Sequence, residues 1–278
     1  MDELIFLKLG GSLLTDKTRP RALRPEVLAR LAREIAAALR ARPGLRLLIG
    51  HGSGSFGHVT AQRYGTRQGV TTAEGWRGYA ETAATAAELN RLVTEALWEA
   101  GVPALPVQPS ASACCWDGEL RTLDDRPFHV SLAHGLVPLT YGDVALDEVR
   151  GGTIISTEQI FRWLAPRLQP HRIVLAGEVE GVYTAHQLAG QPGQLIRTIT
   201  PDDLPTLQAG LAGSRGVDVT GGMVAKVAEM VALVQEVPSL AVVQIVSGLV
   251  PDLVRAVLIG QESRAGTRIV RAQEGASW

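Results

Sequence analysis

The sequence predicts an α/β protein built on a mainly parallel sheet covered by helices on both faces. Two features predict it: short aliphatic and β-branched runs alternate with longer stretches of helical periodicity, and several of the short runs end in glycine turns. The composition agrees, with 46% hydrophobic and 20% charged residues, which excludes a disordered chain. A length of 278 residues suffices for one large domain, or for two lobes sharing a sheet.

The elements follow in order. LIFLKL, residues 4 to 9, is a strand, and PEVLARLAREIAAALRA, 25 to 41, is a helix whose Pro25 suits the first turn. RLLIG, 46 to 50, is the next strand and runs into the loop HGSGSFGH. A helical stretch spans about Ala73 to Ala100, with a break expected near Gly78. The strand PALPVQ, a hairpin at ELRTL and the strand LVPLTYG come next. VALDEVRGGTIIS reads as a second hairpin, because Asp147 to Gly152 carries turn chemistry between two apolar arms. STEQIFRWLAPRL is a helix that opens with Ser156 and Gln159 at capping-box spacing. Beyond a soft lobe boundary near Pro170 the pattern continues with RIVLAGEVEGVYT, LIRTIT, a helix over about Gly222 to Val237, AVVQIVSG, a short helix and the strand GTRIV.

Charge limits the partners. The 27 basic and 28 acidic side chains leave a formal charge of -1, so no general attraction to nucleic acid or an anionic membrane is expected, and any anion site must be local. Residues 1 to 10 are unlike a signal peptide, and Gln244, Pro251, Asp252 and Arg255 interrupt the most apolar later stretch, so neither export nor a membrane span is expected. Cys114 and Cys115 are adjacent and lack partners at metal-ligand spacing. They read as structural thiols in a reducing cytoplasm.

Gly52, Gly54 and Gly57 spell G-x-G-x-x-G, the spacing of a dinucleotide-binding turn. Such a turn should be answered about 20 residues on by an acid at the end of the next strand. Here helix fills that interval, and PALPVQ ends at Gln108, so the dinucleotide reading fails. A tight turn remains one reading of these glycines. Backbone N–H groups held open to an anion at a helix start is the other.

Two further clusters favour the anion. Lys8 lies inside an apolar strand that runs into Gly10, Gly11 and Ser12, with Lys17 close behind; a buried ammonium needs an anionic partner, whereas an edge-strand lysine would only be solvated. In GVDVTGGMVAKVAEM, Gly221 and Gly222 sit where a helix should begin. Lys226 then falls in its opening turns, where a cation opposes the helix dipole unless a bound anion removes the conflict.

Three glycine turns with a nearby cation on successive strand ends resemble the amino acid kinase family. Within it, KLGGSLLTDK, the loop ending SFGH, Tyr141-Gly142-Asp143 and DVTGGMVAK are most similar to the isopentenyl phosphate kinases. The resemblance runs from Leu4 to about Val270. It implies a three-layer αβα sandwich in two lobes, with residues 1–170 taking the acceptor and 171–278 the nucleotide, in a homodimer. It also implies ATP and Mg2+, and transfer of the γ-phosphoryl group to isopentenyl phosphate or another small phosphate or phosphonate such as fosfomycin. A non-catalytic nucleotide-binding module of the same fold stays as a different class of reading.

Carried over by residue, the resemblance assigns Lys8, Lys17 and Lys226 to the phosphates in transit, with Gly10, Gly11, Ser12, Gly221 and Gly222 lining them. Gly54, Ser55, Gly57 and the Gly152-Thr153 turn would hold the acceptor phosphate, and His58 would hydrogen-bond to it. GEVEGVYT would border the base and ribose, with Gly181 and Tyr183 nearest the family pattern. Trp76, Tyr79 and the alanines at 83, 84, 86 and 87 would wall the acceptor's tail, although core packing is the commoner use of such residues. Three positions depart from the pattern: Glu158 and Glu178 stand where aspartate is usual, and Ser53 where glycine is. Glu158 is the candidate to organise the lysines.

Overall fold

The structure, a computed structural model, describes residues 3–16, 18–184, 193–212 and 221–272. In chain order the first half comprises β1 (Glu3–Leu9), α1 (Gly11–Leu14), α2 (Pro25–Ala41), β2 (Leu45–His51), α3 (Gly54–Tyr64), α4 (Ala73–Glu99), β3 (Ala104–Pro106), β4 (Cys114–Trp116), β5 (Glu119–Thr122), α5 (Arg126–Ala133), β6 (Val137–Tyr141), β7 (Asp143–Asp147) and β8 (Gly151–Ile155). The second half comprises α6 (Thr157–Leu168), β9 (Arg172–Gly177), β10 (Thr198–Ile199), α7 (Leu204–Ala212), α8 (Gly221–Glu236), β11 (Val242–Ser247), α9 (Leu253–Leu258) and β12 (Thr267–Ile269).

Eight strands form the main sheet in the order β10-β12-β11-β9-β1-β2-β6-β3. Every neighbouring pair is parallel except β11 with β12. The predicted fold class is therefore observed. What the sequence did not indicate is that the two hairpins leave this sheet and join as a second one, β5-β4-β7-β8.

Strand β1 is central and shows how both faces are filled. Leu4 and Phe6 join Phe161, Val231 and Leu233 in one buried cluster, while Ile5, Leu7 and Leu9 join Leu31, Ile35, Leu89 and Val257 in another. Side chains alternate along a strand, so Lys8 falls on the face of Leu4 and Phe6, at the carboxyl end of that layer. Sequence order reverses beside β1: β2 lies on one side and β9 on the other. In an open α/β sheet, the crevice outside such a switch point is where ligands bind.

Three local outcomes differ from the sequence reading. The loop HGSGSFGH turns directly into a separate helix, α3, which begins at Gly54 inside the loop, well ahead of the helical stretch expected from Ala73. Helix α4 runs unbroken through Gly78, since that glycine is an approach point: a Cβ there would collide with the Tyr64 ring. Helices α5 and α7 were not foreseen either; both are short. Cys114 and Cys115 are free thiols, and burial pushes Cys115 up to about 12, in keeping with a structural role. Among the described residues no helix is long and apolar enough to cross a membrane.

Candidate active site

A cleft of 480 Å³ opens over the carboxyl ends of β1, β2, β9 and β11. One wall is Gly10, Gly11 and Ser12; a second is Gly52, Ser53, Gly54 and His58; the third carries Gly177, Glu178 and Val179. Lys8, Glu158 and Lys226 also line it. A larger hollow of 660 Å³ beside Arg197, Arg264 and Arg268 lies at the β10–β12 edge, away from the switch point and its glycine turns.

The first two walls touch through their backbones. A Cβ on Gly11 would lie 2.5 Å from the Gly54 nitrogen, and one on Gly52 would lie 2.9 Å from the Gly11 nitrogen. Gly54 is also left-handed, with φ +50°, which lets the chain turn into α3. Thr15 Oγ1 stitches the two loops together by donating to the Gly11 carbonyl at 2.7 Å and accepting from the Ser55 N–H at 2.9 Å.

The cleft holds a buried carboxylate, Glu158, between a buried ammonium, Lys8, and a half-exposed one, Lys226. Lys8 Nζ donates to Glu158 Oε1 at 2.5 Å, and Lys226 Nζ stands 3.6 Å from the same oxygen. Local rules place Glu158 there. The capping box of Ser156 and Gln159 starts α6, and Thr157 Oγ1 donates to the His51 carbonyl at 2.7 Å, docking the helix start on β2. Gly50, paired with Lys8 in register, leaves space for that approach: a Cβ would meet Thr157 Cγ2 at 2.5 Å and Phe161 Cε1 at 2.8 Å.

Both members of the buried pair are perturbed. Burial raises the Glu158 carboxyl, but Lys8 and then Lys226 more than reverse this, so it is held below the ordinary carboxylate range. Burial pulls the Lys8 ammonium down from its ordinary value, against the pull of Glu158 and with a smaller push from Lys226. Glu158 thus takes both ion-pair contacts of the group, at 2.5 Å from Lys8 and 3.6 Å from Lys226.

The structure brings together Lys8, Gly10, Gly11, Ser12, Gly54, His58, Glu158 and Lys226. Gly221 starts α8, as the sequence reading required, with Gly222 next. Other candidates stand elsewhere. Ser55 is buried, its N–H held by Thr15 and its Oγ accepting from the Ala22 N–H at 3.2 Å. Gly57 lies inside α3, where a Cβ would press on Ser53 at 2.7 Å, so its smallness serves the Ser53 side chain. Gly152 and Thr153 are in strand β8, not a turn; Gly152 makes room for Tyr79, and Thr153 Oγ1 donates to the Arg67 carbonyl at 3.2 Å. Gly181 packs on Thr267 of β12, and the Tyr183 hydroxyl donates to Glu180, both apart from the cleft wall. Lys17 lies outside the described residues.

Sequence reasoning passed over Met223, which lines the cleft from α8, and His51. Buried His51 stacks on Tyr141 with centroids 5.6 Å apart, and its Nε2 shares a 3.1 Å hydrogen bond with Asn90. Burial lowers its pKa, which suits a neutral structural ring. From residue type and position alone nothing distinguishes it from His58, since both flank the same glycine loop; only the resemblance assigns His58 a role.

Comparison with known proteins places this geometry in a lineage. The profile of the amino acid kinase family matches residues 3–244. The isopentenyl phosphate kinase of Methanothermobacter thermautotrophicus is 36% identical over 275 residues, 96% of this chain and 98% of that protein. That of Haloferax volcanii is 38% identical over 233 residues, 83% of this chain and 88% of its own. A crystal structure of an isopentenyl phosphate kinase matches with a TM-score of 0.80 at 33% identity, over 96% of this chain and 100% of the other. The chain is a member of the amino acid kinase family, on its isopentenyl phosphate kinase branch.

Proposed function

We propose that the protein transfers the γ-phosphoryl group of ATP to isopentenyl phosphate, giving isopentenyl diphosphate and ADP by direct in-line displacement. The observation that carries this is the Lys8–Glu158–Lys226 group under a cleft walled by two touching glycine turns and His58. Phosphoryl transfer asks for positioning and charge neutralisation more than covalent chemistry, and this is a site of cations and backbone donors. An oxygen of the acceptor phosphate attacks the γ-phosphorus as the bond to the β,γ-bridging oxygen breaks. A phosphate monoester, with a second pKa near ~6, is already mostly a dianion at neutral pH and needs no general base.

In this reading Lys8 and Lys226 meet the charge of the group in transit. Glu158 holds them in place and stays ionised. His58 donates to the acceptor phosphate and keeps it in line. Lys17, Gly221 and Gly222 complete the phosphate contacts on the nucleotide side. The lobe of residues 1–170 takes the acceptor, its tail against α4 near Trp76 and Tyr79, and the lobe of 171–278 takes the nucleotide. Burying a five-carbon tail would contribute only about 4 kcal/mol, so phosphate recognition dominates affinity. Mg2+ would arrive as part of the nucleotide substrate and would add positive charge at its phosphates. Among the described residues no three His, Cys, Asp or Glu side chains cluster to hold an ion by themselves. A homodimer in a reducing cytoplasm completes the proposal, in keeping with the free thiols.

The test is a coupled ADP-release assay with isopentenyl phosphate and fosfomycin as competing acceptors. Preference for isopentenyl phosphate is expected. Preference for the phosphonate would replace the acceptor, and no acceptor-dependent turnover with either would favour a non-catalytic nucleotide-binding module.

A further inference from the structure

A cleft that receives two anionic ligands should not hold an uncompensated acid, yet two carboxylates line this one, Glu158 and Glu178. Glu158 is neutralised from within the cleft by Lys8 and Lys226. Glu178 is neutralised from behind: Arg24 Nη1 donates to its Oε1 at 2.8 Å, although Arg24 does not itself line the cleft. We infer that Arg24 is a positioning residue for nucleotide binding, acting through Glu178 by cancelling its charge and drawing its carboxylate toward the rim.

The backbone fixes both partners. The Arg24 N–H donates to the Leu14 carbonyl at 2.8 Å, tying it to the end of α1, the helix that follows the first glycine turn. Glu178 follows β9, whose Ala176 carbonyl accepts from the Gly10 N–H at 2.8 Å. The pair therefore joins the start of α2 to the mouth of β9 beside the phosphate turns. Each side chain is about one-third exposed, so as a source of fold stability the pair contributes little. Its position beside a polyanion gives it a different consequence: without Arg24, a mobile carboxylate faces ATP, and repulsion extends over about a Debye length of ~8 Å at physiological salt.

The inference rests on the nucleotide site proposed above. It is tested by calorimetric titration with a non-hydrolysable ATP analogue and Mg2+ at low salt, on wild type, Arg24→Ala, Arg24→Lys and the double variant Arg24→Ala/Glu178→Gln. Arg24→Ala is expected to weaken binding about tenfold, with the loss shrinking as salt rises. Arg24→Lys, which keeps the charge, should stay within about threefold. The double variant should bind several-fold more tightly than Arg24→Ala, because removing the unpaired carboxylate removes the cause. Arg24→Ala binding as wild type does, or a double variant as weak as Arg24→Ala, would overturn the inference while leaving the kinase reading intact. A wild-type protein that does not bind the analogue would sink the nucleotide site itself, and this inference with it.

Discussion

Lys8 and Glu158 are 150 positions apart in the sequence and 2.5 Å apart in space. One belongs to the central strand, the other to the first turn of a helix docked on the neighbouring strand, and Lys226 reaches the same carboxylate from a third element. Three parts of the fold meet in one charge cluster, and the electrostatic predictions follow from it.

Breaking the cluster at its acid should damage stability and transfer together. Glu158→Gln leaves Lys8 buried without a counter-charge, and unfolding stability should fall by about 3 kcal/mol. Turnover should drop on the order of 10²-fold or more as the lysines lose their alignment. The double variant Lys8→Met/Glu158→Met should regain most of the stability while remaining inactive, since an apolar pair can replace a buried ion pair but cannot bind phosphate. Glu158→Asp should fold and keep partial activity, one methylene short of Lys8. Denaturant melts and steady-state rates measure all three.

Acid should act through the same carboxylate. Glu158 titrates below its ordinary 4.5 in the folded protein, so its contribution to stability is fully present above that value and is lost as pH falls through the lower folded value. Stability measured from pH 6 to pH 2 should therefore fall less steeply in Glu158→Gln than in wild type.

His58 separates acceptor chemistry from nucleotide binding. His58→Ala should lower turnover about 10²-fold while analogue affinity stays near wild type, and His58→Gln, which keeps a donor, should retain more activity. Equal wild-type rates in both would remove this residue from the mechanism.

The touching glycine turns leave no room for a methyl group. Gly11→Ala places a Cβ 2.5 Å from the Gly54 nitrogen and 2.8 Å from its Cα. Neither atom is at the end of a flexible side chain, so a stability loss of about 1–3 kcal/mol is expected, with nucleotide affinity reduced as the loops separate. Thermal melting and analogue titration check it.

Much of this was legible in the sequence because its signals are local. A lysine inside an apolar strand, glycines at strand ends and Ser156 with Gln159 at capping spacing each report on their own neighbourhood, and their positions hold in the structure. Ser55, Gly152, Thr153, Gly181 and Tyr183 were less legible, since the use of a serine hydroxyl or a glycine's missing side chain depends on what packs against it. Gly152 faces Tyr79 and Gly181 faces Thr267, partners far away in sequence. The same holds for the Arg24–Glu178 pair, 154 positions apart. The start of helix α3 was hidden for a different reason: glycines disfavour helix on propensity, and here packing against α1 and α4 overrides it.

The central claim is that two anions meet directly over the sheet's edge, with no covalent stop on the protein. The stereochemistry at phosphorus tests it most directly, using ATP made chiral at the γ-position with isotopes of oxygen and sulfur. One in-line displacement predicts inversion of configuration in the isopentenyl diphosphate analogue formed. Retention would mean two successive transfers through a phosphorylated residue, and would contradict the account.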